Sequence, residues 1–244
     1  MYKRIVIKLS GEALASGDDK GITNIYDDKT IDNLIKDIKN TMSRGTQVAL
    51  VIGGGNILRG RSTPGINRAK ADQIGMLATV MNSIYLAERF KENGIHTEVL
   101  TPFEVGNFTK VYSREKALKY LNQNKLLIFG GGLGHPYFST DTIPALRALE
   151  LECDCVLFAK NVDGIYNKNP AIHKDATKYK TITYRKIIED NLYAIDIAAM
   201  VLCENGNIPS LVFSLNQENA IELAALNSEE FYKFGTRIVT NNQI

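Results

Sequence analysis

Lys8 closes the apolar run "RIVIKL" and is followed at once by Ser10 and Gly11 in "KLSGEAL". A lysine at the end of an apolar strand needs an anion to pair with or a path to solvent. Two more small-residue turns follow apolar runs, in "VIGGGNILRG" (51–60) and "IFGGGLGHPYFSTD" (128–141). Glycine at a strand end lets backbone N–H groups close on a ligand, and a following helix N-terminus adds partial positive charge that suits phosphate. Three such turns on one sheet edge point to a polyphosphate site. Arg59, just past the second turn, is either a guanidinium fork for phosphate oxygens or a solvated loop residue. Asp72, opening "ADQIGMLATVMNSIYLAERF", and Asp141, in "STDT", suit either a helix cap or a ligand contact, and spacing leaves both open. The G-x-x-x-x-G-K-[ST] pattern is absent, as is a strict G-x-G-x-x-G after the first strand, which disfavours P-loop NTPases and ordinary dinucleotide enzymes.

Positioning these residues takes a sheet. Apolar runs at 4–9, 47–53, 97–101, 125–130, 154–159 and 209–213 are mostly continuous rather than alternating, as strands buried on both faces are. Amphipathic stretches separate them. In "TIDNLIKDIKNTMSRG", Ile31, Leu34, Ile35 and Ile38 recur at helical spacing and Gly45 marks the stop. Ile74, Leu77, Met81 and Ile84 recur in the same way and predict a core-facing stripe. Strand, helix and strand in alternation predict an α/β doubly wound sandwich with ligands at the carboxyl ends of the strands. Composition turns polar and basic over 160–186, which predicts two lobes, 1–159 and 160–244, of a single domain that splits donor from acceptor.

The composition narrows the partners. A formal net charge of +2 over 244 residues is too balanced for a bulk DNA or RNA binder. The N-terminus lacks the long apolar region of a signal peptide, and no window of roughly 18 apolar residues offers a membrane span, so a cytosolic location is expected. Cys153 and Cys155 are expected to share one face of a strand as packing residues. His96, His135 and His173 are too scattered for a zinc site.

"KLSGEAL", "GGGNILRG", "ADQIGMLATVMN", "GGLGHPYFSTD", "NVDGIY" and "AIDIAA" follow one another from about Tyr2 to the C-terminus. Together they resemble the motif series of the bacterial uridylate (UMP) kinases of the amino acid kinase family. The resemblance implies a three-layer, mostly parallel sheet sandwich that transfers the γ-phosphoryl group of ATP to UMP, with Mg²⁺ carried on the phosphates. It implies that Lys8, Leu9, Ser10 and Gly11 hold the ATP phosphates, with Gly55 and Arg59 on the ATP side of the transfer path. Lys160 or Asn161, Tyr166 and Asn169 would cover adenine and ribose. Gly54 would meet the UMP phosphate and Asp72 the UMP ribose hydroxyls. Leu133, Gly134, His135, Pro136, Tyr137, Phe138, Ser139 and Thr140 would enclose UMP. Lys8, Arg59 and Asp141 would be the catalytic set, Asp141 orienting Lys8 or the metal; Asp196 matches a further family carboxylate or is a helix cap.

Ser16, Gly17, Asp18, Asp19, Lys20 and Gly21 occupy the family's GTP-activation segment, without the aromatic residue often found there. A homohexamer, GTP as activator and UTP as inhibitor are further implications. The chain departs from the family pattern at Leu133 (threonine is usual), His135 (asparagine) and Asn169 (aspartate). Two alternatives stand beside this resemblance: another amino acid kinase, acting on carbamate, aspartate or acetylglutamate, and a uridine-nucleotide sensor without turnover.

Overall fold

Along the first strand Ile5, Ile7 and Leu9 pack into one apolar layer and Val6 into the other. That parity is the signature of a strand covered on both faces. The computed structural model describes residues 1–18, 21–58, 65–160, 162–192 and 195–243, with backbone alone at 18, 21 and 22. In chain order the elements are β1 (Arg4–Leu9), a hairpin of β2 (Ser16–Asp18) and β3 (Gly21–Asn24), α1 (Asp28–Ser43), β4 (Gln47–Ile52), α2 (Arg68–Glu92), β5 (Thr97–Thr101), β6 (Lys110–Val111), α3 (Arg114–Asn122) and β7 (Leu126–Phe129). There follow α4 (Thr142–Glu150), β8 (Cys155–Lys160), β9 (Thr181–Thr183), α5 (Tyr184–Glu189), α6 (Ile197–Asn205), β10 (Ser210–Ser214), α7 (Ala220–Ala225) and β11 (Gly235–Val239).

Among the described residues nine strands form one sheet in the order β6-β5-β7-β4-β1-β8-β10-β11-β9, parallel except for the β10–β11 pair. The six strands expected from apolar runs are the six adjacent ones from β5 to β10. The sheet is continuous from β8, which ends at the expected lobe boundary at 160, to β10 beyond it. One face packs on α1, the C-terminal half of α2 and α7, and the other on α3, α4, α5 and α6. No helix among the described residues is long and apolar enough to cross a membrane.

Helix α1 follows its sequence signals: Asp27 accepts from the Thr30 N–H at 2.8 Å, Ile31, Leu34, Ile35 and Ile38 are buried, and Gly45 turns the chain at φ +91°. Helix α2 does not. Ile74, Leu77, Met81 and Ile84, expected in the core, are 36–55% exposed. The middle of the helix buries Ala78, Thr79, Asn82 and Ser83 instead, because the glycine turns beside it come too close for larger side chains. The cysteines also differ from expectation: Cys153 precedes β8 and packs on the α4 side, whereas Cys155 packs on the α1 side. Both are free thiols, and burial pushes the Cys153 pKa up to about 12.

Asp37 ties two of the covering helices together. Its carboxylate is buried in α1 and accepts the backbone N–H groups of Ile221 and Glu222 at 2.8 Å each, capping α7 from a distant segment. Burial pushes its pKa from 3.8 to about 6 against the opposing pull of those two N–H groups. Because the folded-state pKa is raised, the folded protein keeps this proton to higher pH than the unfolded chain, and stability falls as pH rises from about 4 to about 6. Asp37→Asn is expected to flatten this slope. In denaturant titrations across that range, wild type should lose about 3 kcal/mol relative to the variant.

Candidate active site

The parity of β1 places Lys8 in the same row as Val6, facing the α4 layer. Lys8 pairs in register with Phe158 of β8, so Lys160, two residues on, faces the same way from the adjacent strand. Asp141 sits between them: its Oδ1 is 3.2 Å from Lys8 Nζ and its Oδ2 is 2.9 Å from Lys160 Nζ. Asp141 occupies the N-cap position of α4, yet its side chain accepts no helix N–H. The two ammonium groups take the carboxylate, so capping is not its role. Burial pushes the Asp141 pKa up, but the charges of Lys8 and Lys160 and their hydrogen bonds outweigh it, and the net value lies below the ordinary carboxylate range. Two ammonium groups thus share one carboxylate at the carboxyl ends of central parallel strands.

The glycine turns meet one another as well as the cleft. A Cβ on Gly11 would lie 2.6 Å from the Gly53 carbonyl oxygen and 2.7 Å from the Gly55 nitrogen. On Gly54 it would lie 2.9 Å from the carbonyl oxygen of Gly75 in α2. Close backbone approach therefore accounts for both glycines before any ligand is considered. Helix α2 supplies hydrogen bonds in place of bulk. Thr79 Oγ1 accepts from the Gly131 N–H at 2.7 Å, and Asn82 Nδ2 donates to the Gly53 carbonyl at 2.8 Å.

Between the lysine cluster and α2 lies a cleft of about 680 Å³, lined by Lys8, Glu12, Gly54, Gly55, Leu58, Asp72, Gly75, Met76, Thr79, Gly132, Leu133, His135, Phe138, Ser139, Thr140, Asp141 and Ile143. Helix α2 is capped by Asn67, which accepts from the Ala69 N–H, so Asp72 is a second-turn residue facing the cleft and not a cap. Residues 3–214 match the model of the amino acid kinase family. The chain belongs to the amino acid kinase family. Its fold superposes on UMP kinase from Bacillus anthracis with TM-score 0.91 at 33% identity, covering 98% of this chain and 97% of that one. UMP kinase from Ureaplasma parvum matches with TM-score 0.90 at 33% identity, covering 98% and 100%. A uridylate kinase from Archaeoglobus fulgidus shares the fold at 22% identity and TM-score 0.72, covering 96% and 99%.

Of the residues that family resemblance singles out, the cleft gathers Lys8, Gly54, Gly55, Asp72, Leu133, His135, Phe138, Ser139, Thr140 and Asp141. Leu9 is fully buried in the core, and Ser10 and Gly11 lead into a 3-10 turn, Gly11–Leu14, beside the cleft. Gly134, Pro136 and Tyr137 belong to the wall without lining it. Tyr166 and Asn169 also lie outside the lining: Tyr166 Oη donates to the Asp163 carboxylate, and Asn169 Oδ1 accepts from the Ala171 N–H in a turn. Asp196 caps α6 through the Ala198 N–H at 3.0 Å. Arg59, Asn161, Asp19 and Lys20 lie outside the described residues. Ser16, Gly17 and Asp18 form β2, and Gly21 begins β3.

The motif pattern missed Glu12, which lines the cleft beside Gly55, and Thr79 and Asn82, which brace the turns. Polar residues three apart within the mostly apolar stretch "GMLATVMNSIYLA" were the available signal for the last two.

Proposed function

We propose that this cleft transfers the γ-phosphoryl group of ATP to UMP, giving UDP and ADP. The observation that carries the proposal is the Lys8–Asp141–Lys160 cluster at the carboxyl ends of β1 and β8, opening onto an acceptor-sized cleft with Asp72 on the opposite wall. Phosphoryl transfer passes through a loose, highly charged arrangement, so fixed cations and positioning matter more than a strong base. A UMP phosphate oxygen is already a competent nucleophile. It forms a bond to the γ-phosphorus as the bond to the β–γ bridging oxygen breaks, and the electron pair leaves with ADP. Lys8 follows the charge on the moving group, while Asp141 holds both ammonium groups in place.

On the donor side Ser10, Gly11 and Gly55 present backbone N–H groups to ATP, with Arg59, and Lys160 adds charge. Asn161, Tyr166 and Asn169 cover the nucleoside. On the acceptor side Gly54 meets the UMP phosphate, Asp72 accepts from ribose hydroxyls, and residues 133–140 enclose the base. His135 and Leu133, which replace the usual asparagine and threonine, alter the donors and acceptors offered there. On this reading the expected lobes divide into one that carries the UMP and phosphate loops, 1–159, and one on the ATP nucleoside side, 160–244.

Both Asp141 carboxylate oxygens are engaged by lysine, and no three His, Cys, Asp or Glu groups converge among the described residues. That donor set fits Mg²⁺ carried on the polyphosphate, where the ion neutralises phosphate charge. Incubation of ATP and UMP with the enzyme, followed by ³¹P NMR, should show UDP and ADP growing in equal amounts. ADP and inorganic phosphate without UDP would refute the proposal.

The exposed Ile74, Leu77, Met81 and Ile84 supply one side of a subunit contact in the homohexamer that family membership suggests. Leu77→Glu combined with Met81→Glu is expected to shift sedimentation equilibrium from hexamers to smaller species; an unchanged mass would place the contact elsewhere. GTP as activator and UTP as inhibitor belong to the same proposal and are tested by adding each to the UMP assay.

A further inference from the structure

Arg68 opens α2 in a place where helix stability alone would not put it. A cation in the first turn faces the positive end of the helix macrodipole, and arginine four residues before aspartate is the weaker order for an ion pair along a helix. The pair is nevertheless closely made. Arg68 Nε lies 2.9 Å from both Asp72 Oδ1 and Oδ2, and the Asp72 side chain is only 15% exposed. Asp72 Oδ2 also accepts the backbone N–H of Tyr137 at 2.9 Å, from the far wall of the cleft.

Tyr137 adopts φ +73°, a left-handed conformation that is strained for an aromatic residue and persists only where its surroundings hold it. The residue is 66% exposed, with the Arg68 guanidinium 5.6 Å from the ring centroid. The ring is therefore not anchored in the core. What holds the turn is the bond to Asp72 and the cation above the ring, and both lead back to Arg68. Phe138, next to Tyr137, and His135, two residues before it, line the cleft, whereas Arg68 does not.

We infer that Arg68 is a positioning residue of the acceptor site: it fixes the Asp72 carboxylate and, through Asp72 and Tyr137, latches the 133–140 wall over the acceptor. This rests on the proposal that the cleft binds UMP. Lys8 and Lys160 hold Asp141 by its carboxylate at 3.2 and 2.9 Å, whereas the wall meets Asp141 through its backbone, where the Asp141 N–H donates to Ser139 Oγ at 3.1 Å, so loosening the latch is expected to weaken acceptor binding more than it disturbs the transferring groups.

Steady-state kinetics of Arg68→Ala, with UMP and ATP varied in turn, provide the test. The KM for UMP is expected to rise about tenfold, as small misplacements of a positioning group do, while kcat and the KM for ATP stay within about threefold. Arg68→Lys should recover part of the loss, since it keeps the charge but not the fork. Tyr137→Gly should shift the KM for UMP less than Arg68→Ala does, because it keeps the N–H donor and removes the strain. If Arg68→Ala does not fold, the same split is read in Arg68→Gln. An unchanged KM for UMP would overturn the inference, as would a parallel loss in kcat and in both KM values, the mark of general loosening. A wild-type enzyme that does not phosphorylate UMP would instead refute the functional proposal beneath it.

Discussion

Lys8→Ala is expected to lower kcat for UMP phosphorylation by about 10²–10³-fold, the usual cost of removing one preorganised charge from a transferring group. The protein should stay folded. Lys8 contributes no apolar packing at its ammonium end, and Asp141 keeps Lys160 as a partner at 2.9 Å. The variant's melting temperature should fall far less than its activity. Near-normal turnover with an unchanged melting temperature would remove Lys8 from the mechanism.

Asp141→Ala should have the largest effect on stability. It leaves the ammonium groups of Lys8 and Lys160, whose side chains are 12% and 21% exposed, facing one another without the shared carboxylate. Removing one member of such a buried set costs about 3–5 kcal/mol. In a chain of this size that is a fall in melting temperature on the order of 10 °C. Activity should fall with it, because both cations lose their position. Asp141→Asn keeps the shape and removes the charge, so it should lose activity in the same direction. Since the folded-state pKa of Asp141 is lowered, its contribution to stability is complete above the ordinary value near 3.8 and is lost only as pH falls through the lowered one. Wild-type activity should accordingly show no ionisation of Asp141 near neutral pH, in contrast to a general base. A variant as stable and active as wild type would contradict this role.

The central sheet was legible in the sequence because strands buried on both faces leave continuous apolar runs, and β5, β7, β4, β1, β8 and β10 all do. The outer strands were not. Both residues of β6 are exposed, β9 has only three residues, and β11 carries Thr236 and Arg237 among its five, which breaks the apolar run. Lys8 stood out because a lysine ending an apolar strand must have a partner. Its partner did not, since Asp141 reads equally well as an ordinary helix cap, and only the parity of β1 and β8 shows why two lysines claim it. Helix α2 misled for a physical reason. Helical spacing identifies an apolar stripe but not what covers it, and the turns around Gly53 and Gly131 need small and polar neighbours, which turns Leu77 and Met81 outward. The link from Arg68 through Asp72 to Tyr137 spans about 70 residues and depends on one left-handed backbone angle, for which tyrosine carries no sequence signal.

The acceptor test reaches the central claim most directly. With ATP and Mg²⁺ held constant, ADP release is measured against UMP, CMP, dUMP and GMP and, as family alternatives, carbamate, aspartate and acetylglutamate. If, as proposed, Asp72 accepts from ribose hydroxyls and residues 133–140 enclose uracil, kcat/KM should be highest for UMP, with dUMP behind it. A preference for any other acceptor would contradict the assignment, and tight UMP binding with no ADP release would make the protein a sensor and not a kinase.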